Sequence, residues 1–540
     1  MTFIERRFRL LCAVPLTLMA ALQITSAREE SQTFDEAVHL SAGYRYWRTG
    51  HFTMNREHPP LQKLLSAAPL LILRPPLPSD PSLADKDFEY ARTFLYQSPV
   101  NADRMLFLGR MATILLTAGL GAALAWAGAA FFGAPAALLA VTLFALDPNF
   151  IAHGHYVTTD VAAALFFFLT TVLWIRHLQQ PGKRWAVGAG VSFGLALASK
   201  FSVVLLAVVL PLLLLLWRLA GVRGHMRRNV RALGVVAVSG FLIVGLVYAP
   251  ETWRTLRGRN RDAPRITVLG VKLPPHTFFS GLETVLAHNE GGHPAYLLGE
   301  LSDKGWWYYF PVAFGVKSPS ALLLAMGLGL GLAVWRARRW KGGVLWLALL
   351  LPPVLYFGVS LTSHINIGLR HLLPVYPFLY LLTAAAVVTA LPVRAAMAAA
   401  CLLLGVQAAE AASIHPHYLT FFNTFAGGPK AGPRYLLDSN LDWGQDLKNL
   451  KIFLDDNHLD SVCLFYFGYA SPSYYGIKER YLPRTWDKDE RERMDCIGAI
   501  SVTLLHDLYI PPGSYEWLRH RTPLGTVGNS IYIYDLRKRQ

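Results

Sequence analysis

Charged residues are scarce in this sequence. Asp, Glu, Lys and Arg make up 16% of its 540 residues, whereas a soluble globular domain carries about 25%. Hydrophobic residues make up 53%, and the mean hydropathy is +0.33. The composition therefore excludes an ordinary soluble domain and indicates a polytopic membrane protein. The sequence also contains no repeat of fixed period and no low-complexity segment, which excludes solenoid and fibrous classes.

Cysteine is rare as well, with four residues, so a disulfide-dense secreted scaffold is excluded. Cys12 and Cys401 fall in apolar segments, and we expect them to be packing residues. Cys463 and Cys496 fall in the polar tail, where a disulfide is chemically permitted. Two unpaired buried thiols explain the same spacing equally well.

Acidic residues are the minority charge, with 35 Asp and Glu against 51 Lys and Arg, a net charge of +16. The positive residues lie in short clusters beside apolar segments, where membrane topology and anionic lipid already require them. No basic domain interleaved with aromatic residues is present. We therefore expect a membrane lipid partner and no nucleic acid.

Apolar runs near spanning length predict eleven transmembrane helices. Basic clusters precede the first run and follow the fourth, sixth and eighth, so they share one side if the spans alternate. That side is the cytoplasm, and the loops 28–104 and 250–318 and the tail 413–540 are predicted to lie outside. The runs are 10–27, 105–132, 134–150, 158–175, 185–199, 201–217, 232–249, 319–335, 343–361, 372–390 and 395–412.

The first run has a second interpretation. It begins after basic residues and ends in small residues near Ala27, as a signal peptide does. Cleavage would leave the other ten spans oriented as before, so the loop charges do not decide between the two.

The regions between spans divide the chain into 1–412 and 413–540. In the loop 28–104, "DEAVHLSAGYRYW" and "HPPLQKLLSAAPLLIL" predict two amphipathic helices that lie on the outer membrane surface. In the tail, "LDWGQDLKNLKIFLDDN" predicts a helix, and "SVCLFYFGY", "IGAISVTLL" and "NSIYIYDL" predict strands. The tail is therefore expected to form a small α/β domain outside the membrane.

Two adjacent carboxylates, Asp35 and Glu36, follow the first span. Helix capping is the plain explanation, because Thr33 and Glu36 form a capping box and acids suit a first helical turn. On this stretch alone, capping is the better interpretation.

Other ionisable residues gather at the predicted outer ends of spans. Each has a structural explanation, since Asp160 can cap a helix and Arg370 can snorkel. Ionisable groups at membrane depth are costly and usually functional, and acids together with Arg, Lys and His favour a phosphate-bearing lipid substrate. The set comprises His39, His58, Lys63, His153, His155, Asp160, Lys200, His364, Arg370 and His371.

Four segments in order resemble glycosyltransferase family 39: "FDEAVHLSAGYRY", "EHPPLQKLL", "LDPNFIAHGHYVTTD" and "ASKFS". That family, of the GT-C membrane class, holds the protein O-mannosyltransferases and the lipid A aminoarabinose transferases. The resemblance runs through residues 1 to about 412, and "FFNTFAGGP" and "LDSNLDWGQDL" resemble the tails of bacterial relatives. The lumenal domain that the eukaryotic enzymes insert between spans has no counterpart here.

The resemblance implies an α-helical GT-C fold and an enzyme of the bacterial cytoplasmic membrane. Such an enzyme moves a mannose-like hexose or related sugar from a polyprenyl-phosphate donor to a protein or glycolipid acceptor outside, with inversion. The family's catalytic Asp-Glu pair falls on Asp35 and Glu36, and its second-loop acid on Asp160. His58 and Lys63 would border the same cavity. In this family the first helix is retained, which favours an uncleaved span.

Inverting transfer needs a base for the acceptor proton and a cationic cradle for the departing phosphate. We expect Asp35 to be the base, with Glu36 and Asp160 orienting the acceptor or binding a metal. The expected phosphate-side residues are basic or carry a titratable ring: Lys63, Lys200, Arg370 and His371.

Metal dependence is open on this sequence, since some GT-C enzymes use a divalent ion and others do not. "HNEGGH" offers His288, Glu290 and His293, but the spacing matches no standard metal site, so a hydrogen-bonded loop is expected. The alternative function is a transporter or flippase for a lipid-linked glycan. Matched Gly/Pro-broken spans in two halves, the usual sign of an inverted-repeat transporter, are not found.

Overall fold

The computed structural model describes residues 3–83, 85–221, 226–257, 266–268, 271–273, 276–337 and 340–537. These ranges form a helical bundle with a small mixed sheet near the C-terminus. The α-helices are α1 (Phe3–Glu29), α2 (Glu36–Thr49), α3 (Leu61–Ala67), α4 (Leu70–Leu73), α5 (Asp87–Tyr96), α6 (Ala102–Phe132), α7 (Ala134–Ala145), α8 (Pro148–His153), α9 (Asp160–Gln179), α10 (Lys183–Leu197), α11 (Leu206–Leu219), α12 (Met226–Val247), α13 (Ala249–Leu256), α14 (His276–Gly291), α15 (Tyr309–Lys317), α16 (Ser320–Ala337), α17 (Trp340–Ser360), α18 (Tyr376–Ala390), α19 (Val393–Ile414), α20 (Leu447–Asp456), α21 (Lys488–Glu492), α22 (Val502–Leu505) and α23 (Glu516–Arg519). The strands are β1 (Ile266–Val268), β2 (Val271–Leu273), β3 (Ala295–Leu297), β4 (Glu300–Ser302), β5 (Val462–Phe465), β6 (Glu479–Tyr481), β7 (Ile497–Ser501), β8 (Gly525–Val527) and β9 (Ile531–Asp535).

Eight helices in the described ranges are long and apolar enough to cross a membrane. A ninth is counted if α15 and the first part of α16, which meet at a bend of 110°, form one span. The multi-pass character is confirmed, but the count of eleven is not. The eight are Arg6–Glu29, Ala102–Phe132, Asp160–Gln179, Phe201–Leu219, Met226–Val247, Gly343–Ser360, Leu369–Ala390 and Val393–Ile414.

Two predicted spans fall short in length. The helix α7 has 12 residues and α10 has 15, so at about 1.5 Å per residue neither covers a hydrocarbon core of roughly 30 Å. Instead, α7 packs against α1, α6 and α18, and α10 packs against α9 and α12. The apolar residues of these two helices are therefore buried largely by protein, which hydropathy alone does not distinguish from lipid.

The two helices predicted to lie on the membrane surface are placed differently. The helix α2 buries ten of its 14 residues and packs against α3, α5 and α6. Its approach to α3 is so close that a Cβ on Gly43 would collide with the carbonyl oxygen of Lys63. The second predicted helix is divided at Pro69 into α3 and α4. The apolar face of α2 therefore meets the protein interior, and the surface prediction is wrong for α2. In α4, Leu70 is buried whereas Leu71 and Ile72 are exposed, so the surface prediction for the second helix stays a prediction.

The tail carries a five-stranded sheet in the order β6-β5-β7-β9-β8. The strand pairs β5·β6 and β5·β7 are parallel, and β9 runs antiparallel to β7 and β8. The three predicted strands correspond to β5, β7 and β9, and the predicted helix is confirmed over α20. The short strands β6 and β8 are not foreseen, because three-residue strands carry little periodicity.

The cysteines divide by region. Cys463 in β5 and Cys496 beside β7 form a disulfide with a Cα–Cα distance of 6.2 Å, which links two neighbouring strands of the tail sheet. Cys12 is buried, as expected of a packing residue. Cys401 is exposed on α19, so its expected role in protein packing is wrong.

The orientation of the chain gives the first prediction. Five spans separate Gly221 from the tail when α15 and α16 count as one, so the two points should lie on opposite sides of the membrane. A reporter inserted after Gly221 should report the cytoplasm, and one fused after residue 537 should report the exterior. Both reporting the same side would contradict the topology and would mean that the bent pair does not cross.

Candidate active site

The loop between α1 and α2 is fixed by a buried ion pair. Arg110 of α6 and Glu36 are both fully buried, with Arg110 Nη2 2.7 Å from Glu36 Oε2 and Nε 2.9 Å from Oε1. The remaining guanidinium N–H groups donate to the carbonyl oxygens of Ala27, Glu30 and Ser31. Each donor of the guanidinium therefore has an acceptor, as a charge within a spanning helix requires.

Both oxygens of Glu36 have further donors. The backbone N–H of Thr33 donates to Oε2 at 2.8 Å, and that of Val157 donates to Oε1 at 2.9 Å. Burial alone would raise the pKa of Glu36, but the Arg110 charge and these hydrogen bonds hold that pKa below its usual value. The Thr33 contact is half of the predicted capping box. Glu36 is thus a carboxylate that ties the loop to α6 and to the segment before α9.

Asp35 is placed differently from its neighbour. It occupies the N-cap position of α2, yet its side chain makes no capping hydrogen bond. Its carboxylate is 21% exposed, and Oδ2 accepts a hydrogen bond from Arg370 Nη1 at 3.0 Å. Capping therefore does not explain Asp35, and its side chain points instead toward a group of charged residues.

That group contains four residues, Asp35, Arg370, Asp160 and Lys200, which we call the charge cluster. Arg370 Nη1 is 3.7 Å from Asp160 Oδ2, and Lys200 Nζ is 2.5 Å from Asp160 Oδ1. The side chains of Asp160 and Arg370 are 1% and 8% exposed, whereas that of Lys200 is 16% exposed. The accessible members are thus one acid, Asp35, and one base, Lys200, with a buried acid–base pair behind them.

Helix ends bring the charge cluster together. Asp160 begins α9, Lys200 follows α10, and Arg370 lies in the 3₁₀ turn that leads into α18. Trp443 of the tail lies directly on Arg370, so we call this end of the bundle the tail-side end. It is the end that the sequence predicts to face outward.

The other residues predicted for the site form a layer next to the charge cluster. The rings of His39 and His58 are 5.0 Å apart, and burial lowers the pKa of His39 to about 4, against the opposing charge of Asp35. Burial also holds the pKa of His58 well below its usual value, and the positive charge of Lys63 acts in the same direction. These two rings are therefore neutral near pH 7.

Lys63 is fully buried. Its Nζ donates to the carbonyl oxygen of Asn55 at 2.5 Å and to Tyr46 Oη at 3.2 Å. Burial lowers the pKa of Lys63 to about 7, despite the opposing charges of Glu57 and Asp87. A group so enclosed is a poorer partner for an incoming phosphate than Lys200 or Arg370. His371 is partly exposed, with its ring 6.2 Å from that of Phe310.

The "HNEGGH" segment lies close to this layer. His288 is 3.6 Å from Glu57 and 3.1 Å from His293, whose other ring nitrogen is 3.1 Å from Tyr509 Oη. Hydrogen bonding raises the pKa of His288 through Glu57. Among the described residues, no group of three or more His, Cys, Asp or Glu side chains is arranged to hold a metal ion.

Two residues of the site were missed in the sequence. Arg110 carried a usable signal, because it is a lone charge inside an otherwise apolar run, "LFLGRMATILL". Trp443 carried none, because its contact with Arg370 joins distant parts of the chain.

Comparisons with known proteins find similarity in sequence and in fold. Residues 12–255 match the family model described as dolichyl-phosphate-mannose-protein mannosyltransferase. No curated protein matches the chain. ArnT from Cupriavidus metallidurans in the apo state is 13% identical and has a TM-score of 0.52, and the match covers 98% of this chain and 99% of that one.

A second structure of the same protein is bound to undecaprenyl phosphate, with 12% identity, a TM-score of 0.50 and the same coverage. The archaeal oligosaccharyltransferase AglB from Archaeoglobus fulgidus is 12% identical with a TM-score of 0.48, and the match covers 76% of this chain and 56% of that one. Residues 12–255 are thus similar to the dolichyl-phosphate-mannose-protein mannosyltransferase family, and the fold of the chain is similar to that of ArnT.

Proposed function

We propose that this protein transfers a mannose-like hexose or related sugar from a polyprenyl-phosphate donor to an extracytoplasmic acceptor, a protein or a glycolipid. The observation that carries the proposal is the charge cluster at the tail-side end, in which an accessible carboxylate lies beside two cations. The family's description names a dolichyl-phosphate-linked mannose, and one structure of the same fold is bound to undecaprenyl phosphate. We place the enzyme in the bacterial cytoplasmic membrane.

Asp35 is the best candidate for the base. Glu36 is fully buried, with four donors on its two oxygens, so in our proposal it positions the loop and does not bind an acceptor or a metal. Asp160 is buried against Lys200. Asp35 alone of the three is partly exposed, and within the described chain its Oδ1 makes no hydrogen bond.

The proposed reaction is a single displacement at the anomeric carbon. The acceptor hydroxyl attacks from the face opposite the phosphate while Asp35 takes its proton. The bond between the anomeric carbon and the phosphate oxygen breaks, and the polyprenyl phosphate leaves with the electron pair. Negative charge builds on the phosphate as this bond breaks, and Arg370 and Lys200 stabilise it.

Arg370 has a second part in this proposal. Its Nη1 donates a hydrogen bond to Asp35 Oδ2, so one oxygen of the candidate base is already occupied. Its Nε is buried and lacks a hydrogen-bond partner among the described residues, so it has donor capacity to spare. A donor phosphate that draws Arg370 away would leave Asp35 free to accept a proton. Base activation would thus depend on donor binding.

Asp35→Asn tests the base. Asn keeps the size and suits a helix start, and Asp35 makes no capping bond that it could lose. We expect sugar transfer from a polyprenyl-phosphate donor to fall about 10²–10⁴-fold, with an unchanged unfolding temperature. Donor affinity should rise, because Arg370 no longer shares its charge with Asp35.

The matched control is Asp80→Asn, the same substitution at an exposed position of the same loop. It should transfer sugar like the wild type. Full activity in Asp35→Asn would return Asp35 to a structural role, and equal loss in both variants would mean that the effect is not specific to the site.

Arg370→Ala tests the phosphate side. This variant loses the proposed hydrogen bonds between the guanidinium and the phosphate. Because hydrogen bonds to charged groups are strong, its binding of undecaprenyl phosphate should weaken about 10- to 100-fold. The affinity of Arg370→Lys for undecaprenyl phosphate should lie between those of the wild type and Arg370→Ala, since lysine keeps the charge and loses the planar guanidinium. Arg434→Ala, an exposed tail arginine, is the control. Unchanged affinity and turnover in Arg370→Ala would show that Arg370 only neutralises Asp35 and Asp160.

A further inference from the structure

The tail contributes a segment to the site itself. Residues 438–446, which we call the tail segment, precede α20 and lie between the loop that carries Asp35 and the turn that carries Arg370. All nine residues are buried, and seven of them, among them Ser439, Asn440 and Trp443, are at most 1% exposed. It is therefore packed as core and not as a linker between two domains.

On one side the tail segment holds the turn before α18. Asn440 Oδ1 accepts the backbone N–H of Leu369 at 2.9 Å, and Ser439 Oγ donates to the carbonyl oxygen of Ile367 at 2.6 Å. A Cβ on Gly368 would collide with Ser439 Oγ. These contacts fix the backbone on either side of Gly368, within three residues of Arg370.

On the other side it holds the loop before α2. The backbone N–H of Phe34 donates to the carbonyl oxygen of Trp443 at 2.8 Å, and that of Ser31 donates to the carbonyl oxygen of Gln445 at 2.9 Å. The turn between them needs Gly444, which has a φ of +86° and lies against Phe467. The residue before Asp35 is thus bonded to the residue that contacts Arg370.

The Trp443 ring provides the third contact. It is 1% exposed, and Arg370 Cζ lies 4.2 Å from its ring centroid. Its ring makes T-shaped contacts with the rings of His153 and Tyr156, at centroid distances of 6.1 and 5.9 Å. The face of an aromatic ring attracts a guanidinium that stacks on it. The N–H groups, which lie at the edge of the guanidinium plane, donate no conventional hydrogen bond to the ring. The N–H groups of Arg370 therefore stay directed in the guanidinium plane, toward Asp35 and Asp160.

We propose that the tail segment completes the active site and that Trp443 is a positioning residue for Arg370. This inference rests on the proposed function, because in it Trp443 orients Arg370, the cation that we propose binds the donor phosphate. The ring supports the guanidinium while it moves between Asp35 and the phosphate, since stacking does not depend on which anion the N–H groups meet. The tail is then a part of the catalytic unit and not an appended acceptor-binding module.

The test is binding of undecaprenyl phosphate to the full-length detergent-purified protein, alongside sugar transfer. Trp443→Leu should weaken binding about 2- to 30-fold, the range of a cation–π contact, and raise the donor KM more than it lowers kcat. Trp443→Phe keeps an aromatic face and should recover most of the loss. Trp517→Leu, which removes a tail tryptophan stacked by Arg491 and Arg521, should leave donor binding unchanged.

The outcomes separate this inference from the proposed function. Wild-type binding in Trp443→Leu overturns the inference, as does a lowered unfolding temperature with an unchanged donor KM, which indicates a structural role only. Failure of a folded Trp443→Phe to recover binding overturns the stacking argument. Absence of sugar transfer in the wild type overturns the proposed function, while the binding series still decides the part played by Trp443.

Discussion

A guanidinium inside a membrane-spanning helix has to be neutralised within the protein, and Arg110 is neutralised by the loop that carries the candidate base. Each of its N–H groups is bonded to Glu36 or to a carbonyl oxygen between Ala27 and Ser31. Breaking such a buried pair costs roughly 3–5 kcal/mol, so the loop has little freedom. Because Asp35 precedes Glu36, its position follows from this constraint.

The same constraint extends around the site. Arg110 lies 5.6 Å from the centroid of the Tyr156 ring, Tyr156 meets Trp443, and Trp443 lies under Arg370, which bonds Asp35. This series of contacts begins at Glu36, the partner of Arg110, and ends at the adjacent residue Asp35. It joins the first loop, the segment before α9, the turn before α18 and the tail. The distance between base and cation is therefore set by the whole tail-side end and not by any single helix.

The sequence predicted those parts of the structure that depend on local pattern. The Asp35–Glu36 pair, the strand around Cys463 and most spans follow from motif, alternation and hydropathy. The ion pair of Glu36 could not be predicted, because its partner Arg110 is 74 residues away and no periodicity relates the two. The burial of α2 and the short length of α7 were missed because an apolar face looks the same whether protein or lipid covers it. Trp443 was missed because Ser31 and Gly444, whose bond holds its turn, are 413 residues apart.

The central claim is that one guanidinium serves two anions in turn, Asp35 before the donor binds and the donor phosphate afterwards. An experimental structure of the complex with undecaprenyl phosphate measures this directly, through the distances from Arg370 to the phosphate oxygens and to Asp35. The account predicts a hydrogen bond between Arg370 and the phosphate, and a distance from Arg370 to Asp35 longer than the 3.0 Å found here. A phosphate bound away from the charge cluster, with the Arg370–Asp35 bond intact, would contradict it.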